Sequence, residues 1–117
     1  MPYFVDPDRE FAALAVGVVE QSVLAATNIK GEDAFLIVLQ NMSAVETFTG
    51  AASASPDGVN QWAVELNDEF ASIGPGVTRR MLIPADRLWV RVTGNFVGAP
   101  DTLRMSTVRL RQAVRRG

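Results

Sequence analysis

Residues 87–93 read Arg-Leu-Trp-Val-Arg-Val-Thr, and this stretch decides the fold class that the chain is predicted to adopt. Its apolar residues stand at every second position, with polar, charged or aromatic residues between them. One set is Leu88, Val90 and Val92, and the other is Arg87, Trp89, Arg91 and Thr93. Because side chains alternate between the two faces of a strand, the stretch predicts a β-strand with one face in a core.

Short segments with β-branched or alternating residues recur along the chain at the spacing typical of antiparallel sandwiches and barrels. They cover residues 34–39, 45–53, 62–66, 79–83 and 103–111. Residues 11–24 are rich in valine and are predicted to be extended as well, with a short helix over 8–16 as the alternative. The chain is therefore predicted to be all-β, a single antiparallel β-sandwich or barrel-like domain of about seven to eight short strands.

Turn sequences separate the predicted strands. The clearest is Ser55-Pro56-Asp57-Gly58, because proline favours φ near −65° and glycine permits a positive φ. Gly74-Pro75-Gly76 marks a second turn, and residues 94–102 are predicted to form a loop or a hairpin connection. Neither glycine-rich stretch has the spacing of a phosphate-binding or dinucleotide-binding loop.

The first ten residues differ from the rest of the chain. They contain Pro2 and Pro7 around the apolar triplet Tyr3-Phe4-Val5, a composition that argues against a helix or a central strand. We interpret residues 1–10 as an extended N-terminal arm, which is either a frayed terminus or a segment that docks on a neighbouring subunit. The β-sandwich domain is then predicted over 11–112, with a basic C-terminal tail over 113–117.

The composition points away from enzymes. The 117 residues include no cysteine and no histidine, so thiol nucleophiles, imidazole bases, metal–thiolate sites and the usual catalytic triads are all excluded. The adjacent carboxylates Glu32-Asp33 and Asp68-Glu69 lie beside turns, point to opposite faces of an extended chain and lack the spacing of a calcium-binding loop. We therefore expect no catalytic residue, metal ligand set or cofactor.

The N-terminus lacks the basic region of a signal peptide, and acids precede the first apolar stretch. That stretch, residues 11–19, is about half as long as a membrane-spanning helix requires. We expect a protein without a membrane partner that folds in a cytoplasm.

Charge is divided unevenly along the chain. Residues 1–78 carry two cations and eleven acids, a net charge of −9, whereas residues 79–117 carry nine arginines and two acids, a net charge of +7. Arginines on the last strands, beside Trp89, are compatible with a basic stripe that binds single-stranded nucleic acid or with an arginine-lined sheet edge that binds protein. Because the pI is about 5.0 and Lys30 is the only lysine, we favour contacts with protein, including copies of this chain, and expect no nucleic-acid partner.

From about Ile37 to Leu110, the chain resembles small all-β structural proteins of tailed bacteriophages. The resemblance rests on IVLQNMSA, SPDG, NQWAVEL, a Gly-Pro-Gly turn, RLWVRVTG and RMSTVRLR, in that order. It implies a virion component assembled in the host cytoplasm, either a capsid decoration (cement) protein that binds a major capsid or other virion protein, or a tail protein. The resemblance implies no catalytic residue.

Two function classes follow from the sequence. The first is a structural protein that binds a repetitive protein shell and forms homo-oligomers, and its candidate interface residues are Tyr3, Phe4, Val5, Arg87, Trp89, Arg91, Arg109, Arg111, Arg115 and Arg116. The alternative is a carbohydrate-binding or small-ligand-binding module in which Trp62 or Trp89 stacks on the ligand. Trp62 shares a strand face with Val64 and Leu66, which predicts a core position, whereas Trp89 is predicted to be exposed or to lie under a loop.

Overall fold

The computed structural model describes residues 3–5, 10–29, 34–60, 62, 69–84 and 89–112. Across those residues the chain forms β-strands and turns, and no helix is present. The strands are β1 (Tyr3–Val5), β2 (Glu10–Val16), β3 (Gln21–Asn28), β4 (Ala34–Asn41), β5 (Phe48–Ser55), β6 (Thr78–Pro84), β7 (Trp89–Phe96) and β8 (Asp101–Gln112). The all-β prediction is confirmed.

The strands form two antiparallel sheets that pack together as a β-sandwich. The three-stranded sheet has the order β3-β7-β5, and the five-stranded sheet has β6, β4 and β8 side by side. Both β1 and β2 pair with the remaining side of β8, β1 near its C-terminal end and β2 along the rest. The last strand is therefore an inner strand of its sheet, and the prediction that it forms an arginine-lined edge is wrong.

From β2 to β8, each strand lies in the other sheet from the strand before it. Residues 97–100 accordingly connect β7 to β8 across the sandwich instead of closing a hairpin. The predicted loop over 94–102 is too long, because Gly94–Phe96 continue β7 and Asp101 begins β8.

The core lies between the two sheets, and alternation selects its residues. In β4, Phe35, Ile37 and Leu39 are buried, while in β7 the buried valines are Val90 and Val92. At one end of the core the ring of Phe48 meets the ring of Phe96 edge-on, with 5.7 Å between centroids. Burial of these side chains is the main stabilising contribution to the sandwich.

Glycine at one cross-strand position makes room for this aromatic pair. Gly50 and Gly94 are directly opposite in β5 and β7, beneath the Phe48 ring. A Cβ atom at Gly94 would lie 2.4 Å from Cζ of Phe48, which no real side chain tolerates. These glycines therefore allow close backbone approach to a packed ring.

Other sequence predictions are confirmed in part. Residues 11–24 are extended, but a bend at 17–20 divides them between β2 and β3, so the helical alternative is wrong. The strand predicted at 45–53 begins only at Phe48. Trp62 lies outside the strands, and the rest of the strand predicted at 62–66 falls outside the described residues.

Candidate functional site

The outer face of the three-stranded sheet carries Trp89 beneath the turn that follows β5. Trp89 lies directly opposite Ser55, and Gly58 of the turn packs against its indole. Gly58 has a φ of 79°, and a Cβ atom there would lie 2.6 Å from Cδ2 of Trp89. The prediction that Trp89 lies under a loop is confirmed, as is the positive φ expected for this glycine.

Hydrogen bonds within residues 55–60 hold the turn against Trp89. The amide of Gly58 donates to Oγ of Ser55 at 3.0 Å, and the amides of Asn60 and Val59 donate to Oδ1 of Asp57 at 2.8 and 2.9 Å. The Asn60 amide, followed by that of Val59, lowers the pKa of the Asp57 carboxyl to about 2. The turn therefore presents a fixed negative charge at the surface beside the tryptophan.

Beyond the turn, the chain returns to the same face and brings Trp62 against Arg91. The guanidinium carbon of Arg91 lies 4.3 Å from the Trp62 ring centroid. Within the part of the chain that the structure describes, Nε of Arg91 is buried and has no hydrogen-bond acceptor. Trp62 is half-buried on the outer surface, so its predicted place in the core is wrong.

Trp62, Trp89 and Arg91 together form the tryptophan–arginine cluster. Two indole surfaces, one guanidinium and the nearby Asp57 carboxylate can stack on a ring and hydrogen-bond polar groups. This combination is suited to binding, and it contains no group that would transfer a proton near pH 7.

The outer face of the five-stranded sheet has a different character. Leu82 and Leu36 are directly opposite in β6 and β4, and Arg80 and Val38 form the next such pair. Leu82 is 52% exposed, Arg80 is also exposed, and the other two are half-buried. These four residues form the leucine–arginine face.

A shallow depression of about 260 Å³ adjoins this face, lined by Val38, Gln40, Thr78, Arg104 and Ser106. The outward positions of β4, β6 and β8 include no carboxylate among their described side chains. Over these described side chains the surface is therefore apolar and cationic.

The described arginines of β7 and β8 do not form the basic stripe with which the sequence is compatible, because the two strands belong to different sheets. Arg91 lies on the outer face of one sheet and Arg104 on the outer face of the other. Arg109 spans the space between the sheets: its Nη1 donates to the backbone oxygen of Asn28 at 3.0 Å, and its guanidinium lies 5.8 Å from the Phe35 ring centroid. Its contacts join the two sheets.

The remaining candidate residues divide into two groups. Tyr3, Phe4 and Val5 form β1, in which Phe4 is opposite Arg111 of β8. Arg87, Arg115 and Arg116 lie outside the described residues.

The leucine–arginine face was not predicted, although the sequence contains a signal for it. Residues 34–39 read Ala-Phe-Leu-Ile-Val-Leu, so both alternating sets of positions along this strand are apolar. Such a run predicts a strand buried on both faces. In the structure Leu36 and Val38 of this run are half-buried on the outward face, beside the exposed Leu82.

Over residues 3–5, 10–29, 34–60, 62, 69–84 and 89–112, no three metal-ligating side chains come together. The same residues include no helix long and apolar enough to cross a membrane. Comparisons with protein-family models, curated proteins and solved structures found no match.

Proposed function

We propose that this chain is a non-enzymatic structural protein that acts by binding other proteins, including copies of itself. The observation that carries the proposal is the leucine–arginine face, where Leu82 is 52% exposed on a regular sheet surface. Burying the exposed part of one such leucine contributes about 1 kcal/mol, and Leu36 and Val38 extend the apolar area.

Charge favours an acidic partner surface, which a second copy can supply. Arg80 is exposed on the leucine–arginine face, while Glu20 and Asp57 are exposed on the turns and loops of the opposite sheet. Arginine is well suited to such contacts, because its planar fork pairs with carboxylates through two hydrogen bonds.

Within this class, we favour a capsid decoration (cement) protein of a tailed bacteriophage, with a tail protein as the alternative. The resemblance of residues 37–110 to such virion proteins supports the choice. A repetitive shell offers many equivalent sites, so modest individual contacts become strong through avidity.

The test compares Leu82→Asp with Val45→Asp by sedimentation velocity over a range of concentrations. Val45 is 76% exposed in the connection between β4 and β5 and belongs neither to the leucine–arginine face nor to the acidic surface of Glu20 and Asp57, so it is a matched control. The unaltered chain and Val45→Asp should associate, whereas Leu82→Asp should associate at least about tenfold more weakly because it buries an unpaired charge. Co-sedimentation with purified tailed-phage heads tests whether the protein binds a capsid shell. A monomer that binds no particle would overturn the proposal.

The tryptophan–arginine cluster favours a second candidate, a module that binds carbohydrate or another small ligand. The supporting observation is the pair of half-buried indoles beside Arg91 and Asp57. Titrating glycans against tryptophan emission of the Trp89→Phe variant isolates Trp62. A saturable shift that Arg91→Met weakens supports this candidate, and no shift with any glycan removes it.

A further inference from the structure

The first strand has one neighbour among the described strands. In that part of the chain β1 pairs with β8 alone, through Tyr3 opposite Gln112, Phe4 opposite Arg111 and Val5 opposite Leu110. Backbone hydrogen bonds between strands do not depend on which chain supplies the partner. The same three residues of a second copy would satisfy this edge of β8 equally well.

β1 and β2 lie end to end along the same side of β8, in registers that differ by two residues. Val5 is opposite Leu110 and Glu10 is opposite Thr107, so four residues of the connection pass two residues of β8. The connection also contains Pro7, which has no amide N–H to donate to a ladder. The connection is therefore two residues longer than the stretch of β8 that it passes, and β1 pairs with β8 in a register of its own. We call this connection the link.

The length of the link sets how near a donor copy must lie. Five residue steps from Val5 to Glu10 span at most roughly 17 Å when extended. A neighbouring copy therefore supplies β1 to this edge only where its Glu10 lies within about 17 Å of Leu110.

We propose that β1 is exchanged between copies, so that Tyr3–Val5 of one chain pairs with Leu110–Gln112 of the next. This inference rests on the proposed function, because exchange requires copies held side by side. The pairings are identical within and between chains, so the local concentration of acceptor edges decides between them. In dilute solution the chain's own β1 occupies the edge of β8. In an assembly, the β1 of a neighbouring copy competes for the same edge.

Exchange also explains what an assembly would gain. When β1 leaves, the edge of Leu110–Gln112 exposes unpaired backbone groups, and an open edge recruits a strand. Each exchanged β1 then ties one subunit to the next without any new side-chain complementarity.

The chain contains no cysteine, which allows a direct test by disulfide formation. Phe4→Cys and Arg111→Cys are made as separate variants, mixed and oxidised at concentrations where the protein associates. Residues opposite each other across strands lie about 4.5–5.5 Å apart, within the range for a disulfide. Because neither variant can form this bond alone, a Phe4→Cys–Arg111→Cys heterodimer reports pairing between chains.

Ala15→Cys mixed with Thr102→Cys is the matched control, since these residues are opposite each other in β2 and β8. We expect at least about tenfold more heterodimer from the β1 pair than from this pair, falling on dilution as exchange is lost. Tyr3→Cys with Gln112→Cys repeats the test if one variant folds poorly.

Failures of the two proposals are distinguishable. If the protein associates while the Phe4→Cys/Arg111→Cys double variant forms only an intrachain disulfide, exchange is wrong and the proposed function stands. Equal heterodimer from the β1 pair and the control pair also overturns exchange. A protein that is monomeric at every concentration and binds no phage head overturns the proposed function, and exchange with it.

Discussion

The guanidinium of Arg91 stacks on the indole of Trp62, with 4.3 Å between its central carbon and the ring centroid. The contact joins an inner strand of the three-stranded sheet to Trp62, which follows the turn at 55–60 in the sequence. It holds this indole on the outer face of β7, where Gly58 already contacts Trp89. Two contacts of different chemistry therefore position the tryptophan–arginine cluster.

The Arg91–Trp62 contact should appear as a coupling free energy of about 0.5–1 kcal/mol. A double-mutant cycle with Arg91→Met and Trp62→Leu, followed by urea unfolding, measures it. Arg80→Met with Trp62→Leu is the control, because Arg80 lies on the other sheet and should show no coupling. Equal coupling in the two cycles would contradict the stacking interaction.

Gly58→Ala should destabilise the protein more than Gly76→Ala. Both glycines have a positive φ, 79° and 74°, so both substitutions carry backbone strain of about 1 kcal/mol. Only at Gly58 would the new Cβ meet the Trp89 ring, whereas nothing lies within 4 Å at Gly76. Overpacking should add about 1–3 kcal/mol to the loss of unfolding free energy at Gly58.

Chemical unfolding of the two variants, each with and without Trp89→Ala, checks this prediction. Removing the indole should reduce the cost of Gly58→Ala to that of Gly76→Ala. If the cost of Gly58→Ala stays unchanged without the indole, the contact with Trp89 is not its cause.

Stability should fall as the pH falls from about 4 to about 2, and Asp57 should cause part of that loss. The amides of Asn60 and Val59 lower its pKa from 3.8 to about 2 in the folded chain. Protonation therefore favours the unfolded state, and the stabilising contribution is complete above the unfolded pKa and lost below the folded one.

Urea unfolding midpoints of Asp57→Asn between pH 5 and pH 2 measure that contribution. The unfolding midpoint of the variant should depend less on pH than the unfolding midpoint of the unaltered chain. Some dependence should remain, because the Ser43 hydroxyl and the Thr102 amide also lower the pKa of Asp101. Identical pH profiles for variant and parent would contradict the role of Asp57.

Asn41→Leu should destabilise the sandwich by more than about 2 kcal/mol, because it removes the acceptor of the buried Ser43 amide and the donor to the backbone oxygens of Glu46 and Ile73. Asn41 is fully buried, and its Nδ2 donates to the backbone oxygens of Glu46 and Ile73 at 2.7 and 2.9 Å. Its Oδ1 accepts from the amide of Ser43 at 2.8 Å. Gln40→Ala, at a half-buried outward position of the same strand, should change stability by about 0.5 kcal/mol or less in the same assay.

Features set by neighbouring residues could be predicted from the sequence alone. The alternation in residues 87–93 correctly placed Val90 and Val92 in the core and Trp89 and Arg91 on the other face. The Pro-Asp-Gly turn also has the predicted positive φ at its glycine. Both follow from local geometry, since alternation and turn preference act within a few residues.

The membership of each sheet could not be predicted in this way. β7 pairs with β3 and β5, whereas β8 pairs with β1, β2 and β4, so Arg91 and Arg104 lie on opposite sides of the sandwich. Strand alternation does not specify the partner strand, because pairing depends on contacts between residues distant in sequence.

The sequence by itself determined that this chain is all-β, where most of its strands lie and which faces of β7 are buried. It also excluded the chemistry that requires cysteine or histidine. Only the tertiary structure decided that the strands from β2 to β8 alternate between sheets, that Trp62 meets Arg91, and that Leu82 is left exposed beside Arg80. The physical reason is that side-chain periodicity is local, whereas the layer that covers a face and the strand that satisfies an edge come from distant parts of the chain.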